Sequence, residues 1–591
     1  MSSRPLFLAT TALEEFWDRT QEIVFLGYWC LSADRHDITT SPTPHVMPSP
    51  WDDRERFYRA ASYIKECSEA LLRQLSGYLN GIHRTDYSER YWRIVLGPWL
   101  ILYSHIIYDR FVLLQSALDR YSGLQTIVMH ESSFRTPADF TEVEGFAASD
   151  AYNLQIFSQL LKLMGLSFTS KRYNESFGSN PQTSSRAWAL SFAEKLIRLP
   201  FEARATVTIR KTNLSPFEAW KLAWATRFRA LPLDFSFERR FDRTPAIFNE
   251  DRLGLGKLPC DDPFQRILRA LLPSHFPTLY LEGYQVAHAR IAKTRQTPIV
   301  ISGYAWYGDE GFTFYAAHAA AKGSQLVAVQ HGGAYGAYRS APYEAHERRM
   351  ADFFFAWGWA GEQMPKCGNI VNPRFPQLQH QVRRRTPGNT ALFIATGQPR
   401  YLYRFHSCPV GSQWEDYFDW QHRFLTHIPD KLRSFVCFRP YPAPYGHTGE
   451  LRVRRSFPSI SWDDSRRFAY EKLVKARIVV IDHLGTVLLE ALAANVPTIL
   501  FWDPNRWEAR PEVQTHLEQL RQAQILWDSP EGAAEKLAEV YAEPGRWWNT
   551  DDVQSARREF VIYQAFTKQD WISNWIDNLR KISKGRGGGL G

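Results

Sequence analysis

The chain has 591 residues, which is too long for a single hydrophobic core and favours three or four structural units. Its net charge of +9 is spread over scattered lysines and arginines, without the dense basic stripe that is typical of nucleic-acid-binding proteins. No apolar run reaches the length of a membrane span, and the six cysteines lack metal-type spacing, so the sequence predicts a cytoplasmic protein without a metal site. The charge balance leaves open an anionic small substrate or peripheral contact with the inner membrane.

The N-terminal part predicts short strands followed by long helices. Residues 5–11 and 23–27 are apolar runs typical of buried strands. Apolar residues at spacings of three and four predict helices over 51–85 and 88–122. Residues 165–290 mix short apolar runs with prolines and charges, and they predict an insertion or a helical subdomain.

Alternation of strands and helices begins near Pro298 and predicts two α/β lobes. The predicted strands lie at 299–302, 326–329, 351–357, 391–397, 435–438, 478–481 and 498–502, and the predicted helices at 311–321, 466–476, 486–494 and 531–543. A proline- and arginine-rich segment over 361–390 predicts the linker between the lobes. We therefore expect a first lobe over 1–385 with a helical elaboration, a second lobe over 386–560, and a helical tail over 561–591 with a disordered glycine-rich end.

Three predicted strands end in loops that contain Gly or Pro together with polar side chains. These loops are 330–336, 439–442 and 482–486. Ligands of an open parallel sheet bind in the crevice at the carboxyl ends of its strands. The loops are therefore the candidate functional sites, and the two lobes should face each other across a cleft.

The first loop contains His331, Gly332 and Gly333. An imidazole at a strand end can act as a base, as an acid or as a hydrogen-bond donor to a phosphate, and the glycines allow backbone N–H groups to approach a phosphate. A tight turn with a hydrogen-bonded histidine is the structural alternative.

Three carboxylates of the first lobe are candidates for a general base. Asp309 and Glu310 lie together at a predicted helix start, and Glu347 lies further along the chain. A carboxylate in a cleft can accept a proton from an acceptor hydroxyl. Acidic residues at a helix start can equally serve only to complement the helix dipole.

The second lobe supplies the candidate nucleotide-binding residues. They are Gly397, Arg439, Tyr441, Asp482, His483, Gly485, Thr486 and Glu490. Arg439 can bind phosphate oxygens and Tyr441 can stack on a base or sugar. The helix start at Thr486 offers free N–H groups to an anion, with Glu490 one turn later placed for a ribose hydroxyl. The alternatives are a plain turn at Arg439 and an N-cap role for Thr486.

Motif searches exclude several common enzyme classes. The sequence contains no Walker A motif, no GxGxxG at a strand end and no GxSxG, which argues against P-loop kinases, Rossmann dehydrogenases and α/β-hydrolases.

The chain resembles a family of bacterial surface-carbohydrate (O-antigen) biosynthesis transferases. The resemblance covers most of the chain and includes "FLATTALEEFWD" at 7–18, "RYWRIVLGPWL" at 90–100, "VQHGGAYG" at 329–336, "FAWGW" at 355–359 and "TVLLEALAANVPTILFWDP" at 486–504. It implies a GT-B-like pair of Rossmann-like lobes. The family is distantly similar to CMP-linked sialyl and Kdo transferases and to teichoic-acid glycerophosphotransferases.

The two distant similarities imply different catalytic bases. Asp309-Glu310-Gly311 matches the acidic pair plus Gly of the sialyltransferases, whereas His331-Gly332 matches the catalytic His-Gly loop of the teichoic-acid enzymes. Tyr441-Pro442 departs from the His-Pro dipeptide that sialyltransferases use for the nucleotide, and Thr486 could supply their phosphate-binding hydroxyl.

The resulting expectation is a metal-independent glycosyltransferase that uses a nucleotide-sugar as substrate and needs no cofactor. A CMP-linked donor is favoured, a UDP-linked donor is the alternative, and the acceptor is a surface glycan or a lipid-linked glycan. Two other functions remain open: a polyol-phosphate transferase on the same scaffold, and a non-catalytic protein that binds glycans or nucleotides.

Overall fold

The computed structural model describes residues 6–31, 45–175, 177, 199–232, 241–361, 364, 366–443, 445–465 and 468–584. The strands, in chain order, are β1 (Leu6–Ala9), β2 (Glu22–Phe25), β3 (His45–Val46), β4 (Ile127–Met129), β5 (Thr169–Lys171), β6 (Val207–Arg210), β7 (Ala230–Pro232), β8 (Ile299–Ser302), β9 (Gln325–Val329), β10 (Phe353–Ala356), β11 (Cys367–Asn369), β12 (Ala391–Ile394), β13 (Val436–Arg439), β14 (Ser461–Trp462), β15 (Ile478–Ile481), β16 (Thr498–Phe501) and β17 (Leu526–Trp527). The α-helices span Arg54–His83, Glu89–Arg120, Phe140–Ala147, Asp150–Leu163, Pro216–Ala225, Glu250–Gly254, Pro263–Ala270, Leu272–His275, Tyr284–Ala292, Ala305–Gly308, Glu310–Ala321, Pro342–Met350, Arg374–Arg383, Trp414–His427, Asp430–Arg433, Thr448–Ser456, Ala469–Leu473, Thr486–Ala494, Pro511–Gln522, Pro530–Val540, Pro544–Trp548, Asp551–Gln564 and Trp571–Lys584.

The first lobe contains a parallel sheet in the order β11-β10-β9-β8-β6-β7. Its strands β8, β9 and β10 consist mostly of apolar residues because helices cover both faces of such a sheet. The strand order reverses between β6 and β8, which pair from Val207 with Ile299 to Arg210 with Ser302. The carboxyl ends of these two strands therefore form a topological switch point, where ligands of doubly wound sheets bind.

The second lobe contains a parallel sheet in the order β14-β13-β12-β15-β16-β17. Numbered within the lobe, this is the 3-2-1-4-5-6 order of the Rossmann fold. The order reverses between β12 and β15, where Ile394 pairs with Ile481. The segments that follow these two strands, including Gly397 and residues 482–486, lie at the switch point.

A helical layer with a small sheet elaborates the first lobe. Strands β1, β2 and β3 form a separate three-stranded parallel sheet. The helices Arg54–His83 and Glu89–Arg120 pack on each other, and the second of them also packs on Glu310–Ala321. These contacts connect the elaboration to the helices that cover the first-lobe sheet. The α/β fold class with two Rossmann-like lobes and a helical elaboration is confirmed.

The interpretation of residues 165–290 as an insertion or helical subdomain was wrong for Val207–Arg210 and Ala230–Pro232. This segment contributes β6 and β7 to the first-lobe sheet, and β6 is an interior strand whose four residues are all buried. Val207-Thr208-Ile209-Arg210 carries the β-branched residues that favour strands. A run of four residues is too short to show the alternation of polar and apolar residues that is typical of a strand, and two of the four are polar. The strand forms because it pairs with neighbouring strands that bury it.

The C-terminal helix packs back onto the end of the first lobe. In the helix Trp571–Lys584, Trp575 Nε1 donates to the carbonyl of Val371 at 3.0 Å, and Asn574 Oδ1 accepts from the N–H of the same residue at 3.0 Å. The domain boundaries at 385 and 560 stay predictions, and the glycine-rich end beyond residue 584 lies outside the described residues. None of the helices described above combines the length and the apolar character needed to cross a bilayer.

Candidate functional site

The loop after β9 meets the start of the helix Thr486–Ala494 in the other lobe. The N–H of Gly333 donates to Thr486 Oγ1 at 2.9 Å. A Cβ atom on Gly333 would lie 2.5 Å from Gly485 O and from Thr486 N, so only glycine permits this approach. The carboxyl-end loops of the two sheets therefore face each other, with the predicted His-Gly-Gly loop on one side and the predicted helix start on the other.

Gln330 holds the His-Gly-Gly loop in place. Its buried side chain accepts hydrogen bonds from Trp357 N and Trp359 Nε1, both at 2.8 Å, and donates to Gly332 O at 2.9 Å. The amide oxygen thus accepts two hydrogen bonds and the amide nitrogen donates one, which sets the path of the loop. Sequence reasoning gave Gln330 no role, because nothing in the sequence shows that this amide is buried between two tryptophans.

His331 is joined to a buried carboxylate and two tyrosines. Its Nε2 atom lies 3.2 Å from Glu347 Oε1 and also contacts the hydroxyls of Tyr307 and Tyr335. Tyr335 in turn donates to Glu347 Oε1 at 2.9 Å. The imidazole is 13% exposed, so it can reach a ligand while its orientation is set from behind. The two tyrosines were not predicted.

Glu347 is suited to orient a histidine. Burial raises the pKa of its carboxyl group, and the contact with His331 lowers it. Its second oxygen, Oε2, has no hydrogen-bond partner among the described residues. A buried carboxylate held against an imidazole stabilises the imidazolium that forms when the histidine accepts a proton. Of the three predicted carboxylates, Glu347 is therefore the one beside His331.

Asp309 and Glu310 are both bound to other parts of the first lobe. Asp309 caps the helix Glu310–Ala321 by accepting from Phe312 N at 3.0 Å, and its other oxygen accepts from Arg210 Nη2 at 2.7 Å. Glu310 accepts from the N–H of Phe140 and from the hydroxyl of Tyr280, both at 2.8 Å. These pairings argue against either carboxylate as the general base. The assignment of Asp309 or Glu310 as the base stays a prediction that has not been tested.

Arg439 and Tyr441 lie at the end of β13 in different environments. The guanidinium of Arg439 is 4% exposed and paired with Asp463, which argues against its predicted role on a donor phosphate. Tyr441 is 41% exposed, and its ring stacks on Tyr445 with 5.8 Å between the centroids. A Cβ atom on Gly397 would lie 3.0 Å from Cβ of Tyr441, so Gly397 lies beside this aromatic pair.

Asp482 and His483 form a pair under the switch point of the second lobe. Asp482 accepts from Tyr417 at 2.9 Å and from Gln421 at 2.7 Å, and it lies 3.0 Å from Nδ1 of His483. A Cβ atom on Gly485 would lie 3.0 Å from Nε2 of His483, so the other ring nitrogen is next to the helix start. Asp482 and His483 therefore pack against the backbone of the loop that leads to the helix start at Gly485.

Thr486 and Glu490 lie on the same helix but have different surroundings. The N-cap position is occupied by Gly485, which has no side chain to bind the first N–H groups, so Thr486 is the first helical residue and not the N-cap. Glu490 is buried, which raises its pKa, and Arg374 Nη1 lies 3.1 Å from its carboxylate. This ion pair argues against Glu490 as a ribose ligand.

The structure thus brings part of the predicted set together. His331, Gly332, Gly333, Gly485 and Thr486 meet between the lobes, with Glu347 behind the imidazole. The remaining members line the second-lobe rim, are held in ion pairs or, in the case of Glu310, are hydrogen-bonded within the first lobe. Within the described residues, no group of three or more His, Cys, Asp or Glu side chains is placed to hold a metal ion.

The fold and the facing loops define a two-lobed α/β protein with a histidine–carboxylate pair between its lobes. The sequence matches the family model of the LIC12162 family transferases over residues 6–579. The chain therefore belongs to this family and is a transferase. The search of curated proteins gave no match.

Solved structures similar to this chain include three carbohydrate-related proteins. The wall teichoic acid polymerase TagF has 8% identity and a TM-score of 0.30, with 68% of this chain and 100% of that chain covered. The UDP-GlcNAc 2-epimerase from Neisseria meningitidis, bound to UDP-GlcNAc, has 11% identity and a TM-score of 0.35, with 64% and 99% covered. WaaG, a glycosyltransferase involved in lipopolysaccharide biosynthesis, has 12% identity and a TM-score of 0.27, with 64% and 99% covered.

Proposed function

We propose that this transferase is a glycosyltransferase that moves a sugar from a nucleotide-activated donor to a surface-glycan acceptor, with CMP-linked donors favoured over UDP-linked ones. One observation carries the proposal. A histidine backed by a buried carboxylate, His331 with Glu347, stands on the first lobe beside an uncapped helix start on the second lobe, where Gly333 and Thr486 touch. Transfer to a hydroxyl needs both parts: a base for the acceptor and an anion site for the leaving nucleotide.

His331 is the proposed base. It accepts the proton of the acceptor hydroxyl as that oxygen attacks the anomeric carbon of the donor. The imidazolium that results is stabilised by Glu347, whose Oε1 lies 3.2 Å away, and Tyr307 and Tyr335 keep the ring from turning. The buried position of Glu347 strengthens this stabilisation because few waters can screen it.

The helix start at Thr486 is the proposed site of the donor phosphate. Its first N–H groups lack a side-chain cap, and the helix dipole adds about half a positive charge there. The Gly332-Gly333 loop lies directly against this helix start, where the N–H of Gly333 donates to Thr486 Oγ1 at 2.9 Å. The free N–H groups of the helix start would stabilise the charge that develops on the leaving phosphate, so the proposal assigns no role to a metal ion or cofactor. The exposed ring of Tyr441, beside Gly397, is the proposed stacking surface for the nucleoside.

The proposed acceptor is a glycan or a lipid-linked glycan, reached at the cytoplasmic face of the inner membrane. Peripheral contact is supported by the helix Pro216–Ala225, on which Phe217 and Trp224 are 68% and 75% exposed and Lys221 lies over the ring of Phe217. Aromatic and cationic side chains together suit an anionic lipid surface. Flotation with vesicles of phosphatidylglycerol tests this contact: the double variant Phe217→Ser, Trp224→Ser should stay unbound, and binding equal to wild type would contradict it.

A second candidate function, polyol-phosphate transfer, is favoured by the identity of the base. The teichoic-acid enzymes that the chain resembles use a His-Gly loop, and here His331 is the group beside a carboxylate while Asp309 and Glu310 are bound elsewhere. The same helix start could bind the phosphate of a CDP-polyol. The two functions differ in the bond that breaks, which is sugar–oxygen in the first and phosphorus–oxygen in the second.

A donor panel separates these functions. Purified protein is incubated with CMP-, UDP- and GDP-sugars and with CDP-polyols, and acceptor-dependent nucleotide release is measured. With the donor identified, His331→Ala should lower kcat by at least about 100-fold, while His427→Ala, on an exposed position of the second lobe, should leave kcat unchanged. Equal turnover by both variants would remove His331 as the base. If no nucleotide raises the melting temperature and no donor is consumed, the non-catalytic alternative is favoured.

A further inference from the structure

A cavity of about 340 Å³ lies on another side of the helix that carries Glu347. It opens to solvent and is lined by residues of the two long helices Arg54–His83 and Glu89–Arg120 and of the helix Pro342–Met350. Its volume is within the range of pockets that hold small organic ligands. None of the residues assigned above to the base or to the donor site lines it.

Positive charge dominates the lining of this cavity. It includes Lys65, Arg93, Arg339, Arg349 and Arg510, with Glu69 as the acidic lining residue. Glu69 pairs with both Arg93 and Arg349, and Arg93 also pairs with Glu89. Arg339 pairs with Glu508 and Arg510 with Glu344, so the five cations of the lining face four carboxylates. Lys65 has no ion-pair or hydrogen-bond partner among the residues that the structure describes. The cavity wall therefore has an excess of positive charge.

His346 places an unsatisfied polar ring in the wall. The side chain is 6% exposed, and Nε2 has no hydrogen-bond partner within the described part of the chain. Burial, together with the charges of Arg93 and Arg349, lowers the pKa of this imidazole to about 3, so the ring is neutral at pH 7. A buried imidazole nitrogen without a partner is unfavourable, so this wall of the cavity carries an unsatisfied polar group.

The backbone of the second long helix makes room for this ring. A Cβ atom on Gly97 would lie 2.7 Å from Nδ1 of His346, so the glycine is needed where the imidazole enters. Gly97 is followed by Pro98 inside a helix of 32 residues, and both residue types are poor helix formers in such a position. Gly97 and Pro98 therefore lower the helix propensity of this helix at the point where it borders the cavity.

We infer that this cavity binds a small anionic amphiphile, a molecule that carries a phosphate or carboxylate group on a short apolar body. Lys65 and Arg349 would bind the anionic group. The apolar body would lie against Leu72, Leu100 and Ile101. Because His346 directly precedes Glu347, the ligand would touch the helix that orients the proposed base.

Calorimetric titration of the full-length protein tests the inference with two probes, inorganic pyrophosphate and dimethylallyl diphosphate. We expect dimethylallyl diphosphate to bind at one site at least about 5-fold more tightly than pyrophosphate, because only it carries an apolar body. Lys65→Glu should weaken its binding at least about 10-fold, since one attractive charge becomes repulsive. Ala345→Trp, which fills the cavity from an exposed position, should do the same without requiring a change in the core.

Two control variants locate the binding. Arg73→Glu makes an equivalent charge change on an exposed position of the same long helix, outside the cavity, and Thr486→Val alters the proposed donor site. Both should bind dimethylallyl diphosphate within about 2-fold of wild type if the cavity is the site. Loss of binding in either control, unchanged binding in both cavity variants, or the absence of saturable binding would overturn the inference. Equal affinity for the two probes would refute the apolar part of it.

Discussion

Replacing Gly333 by Ala tests the contact between the lobes without removing any functional group. The added Cβ atom would lie 2.5 Å from Gly485 O and Thr486 N, whereas non-bonded atoms prefer about 3.5 Å. The two loops would have to separate by about 1 Å, which stretches the 2.9 Å hydrogen bond from Gly333 N to Thr486 Oγ1 beyond its useful range. The lost hydrogen bond costs about 1 kcal/mol and the overpacking about 1–3 kcal/mol. If the contact between the Gly333 loop and the helix start at Thr486 is destabilised by about 2–4 kcal/mol, kcat/KM should fall by about 30-fold to 1000-fold.

The neighbouring Gly332→Ala variant is the matched control. A Cβ atom there would lie 3.8 Å from Thr486 Oγ1 and 3.9 Å from the ring of Tyr335, which are ordinary contacts. Both variants are assayed for turnover of the donor found in the panel, and their melting temperatures confirm that they are folded. We expect Gly332→Ala to retain activity within a few-fold of wild type. If Gly333→Ala is equally active, the lobes do not need this contact and the proposed site is in the wrong place.

Three further variants test single interactions. Glu347→Gln should lower kcat by up to about 10³–10⁴-fold, because unit charges 3.2 Å apart interact by about 5 kcal/mol at an effective dielectric constant of 20. The melting temperature of this variant should stay equal or rise, since a buried charge is removed. A loss of less than about 3-fold in kcat would contradict the pairing of Glu347 with His331. Glu310→Gln should flatten the dependence of stability on pH. Burial and Asp139 raise the pKa of Glu310 from 4.5 to about 8, so the stability that its protonated form contributes is complete below about pH 4.5 and is lost as the pH rises through about 8; parallel melting curves for wild type and variant between pH 5 and 9 would refute this. Arg210→Met leaves Asp309 buried without its 2.7 Å partner and should lower the free energy of unfolding by about 3–5 kcal/mol in urea titrations, and a change below about 1 kcal/mol would show that the pair is not needed.

Local sequence patterns were enough to place most strands of the two lobes. The structure confirms the predicted bounds of two strands, Ile299–Ser302 and Ile478–Ile481. Strands that are covered on both faces consist of nearly continuous apolar runs, which are recognisable in the sequence. The helix Thr486–Ala494 was also predicted with its bounds, and in the structure Gly485 precedes it and Asn495, in the αL conformation, ends it. Strand β6 was missed because its four residues include two polar ones, and only pairing with β8 makes them buried.

The sequence by itself determined that polar loops rich in glycine follow the central strands, and hence that His331 and Thr486 would lie at sheet edges. Only the tertiary structure decided which charged side chains remain available there. Three charged residues pair with partners that are distant along the sequence. The separations are 24 residues for Arg439 and Asp463, 99 residues for Asp309 and Arg210, and 116 residues for Glu490 and Arg374. The physical reason is that a helix or strand arises from neighbours along the chain, whereas a buried charge takes its partner from whatever the packed fold brings close, and that choice leaves no local trace.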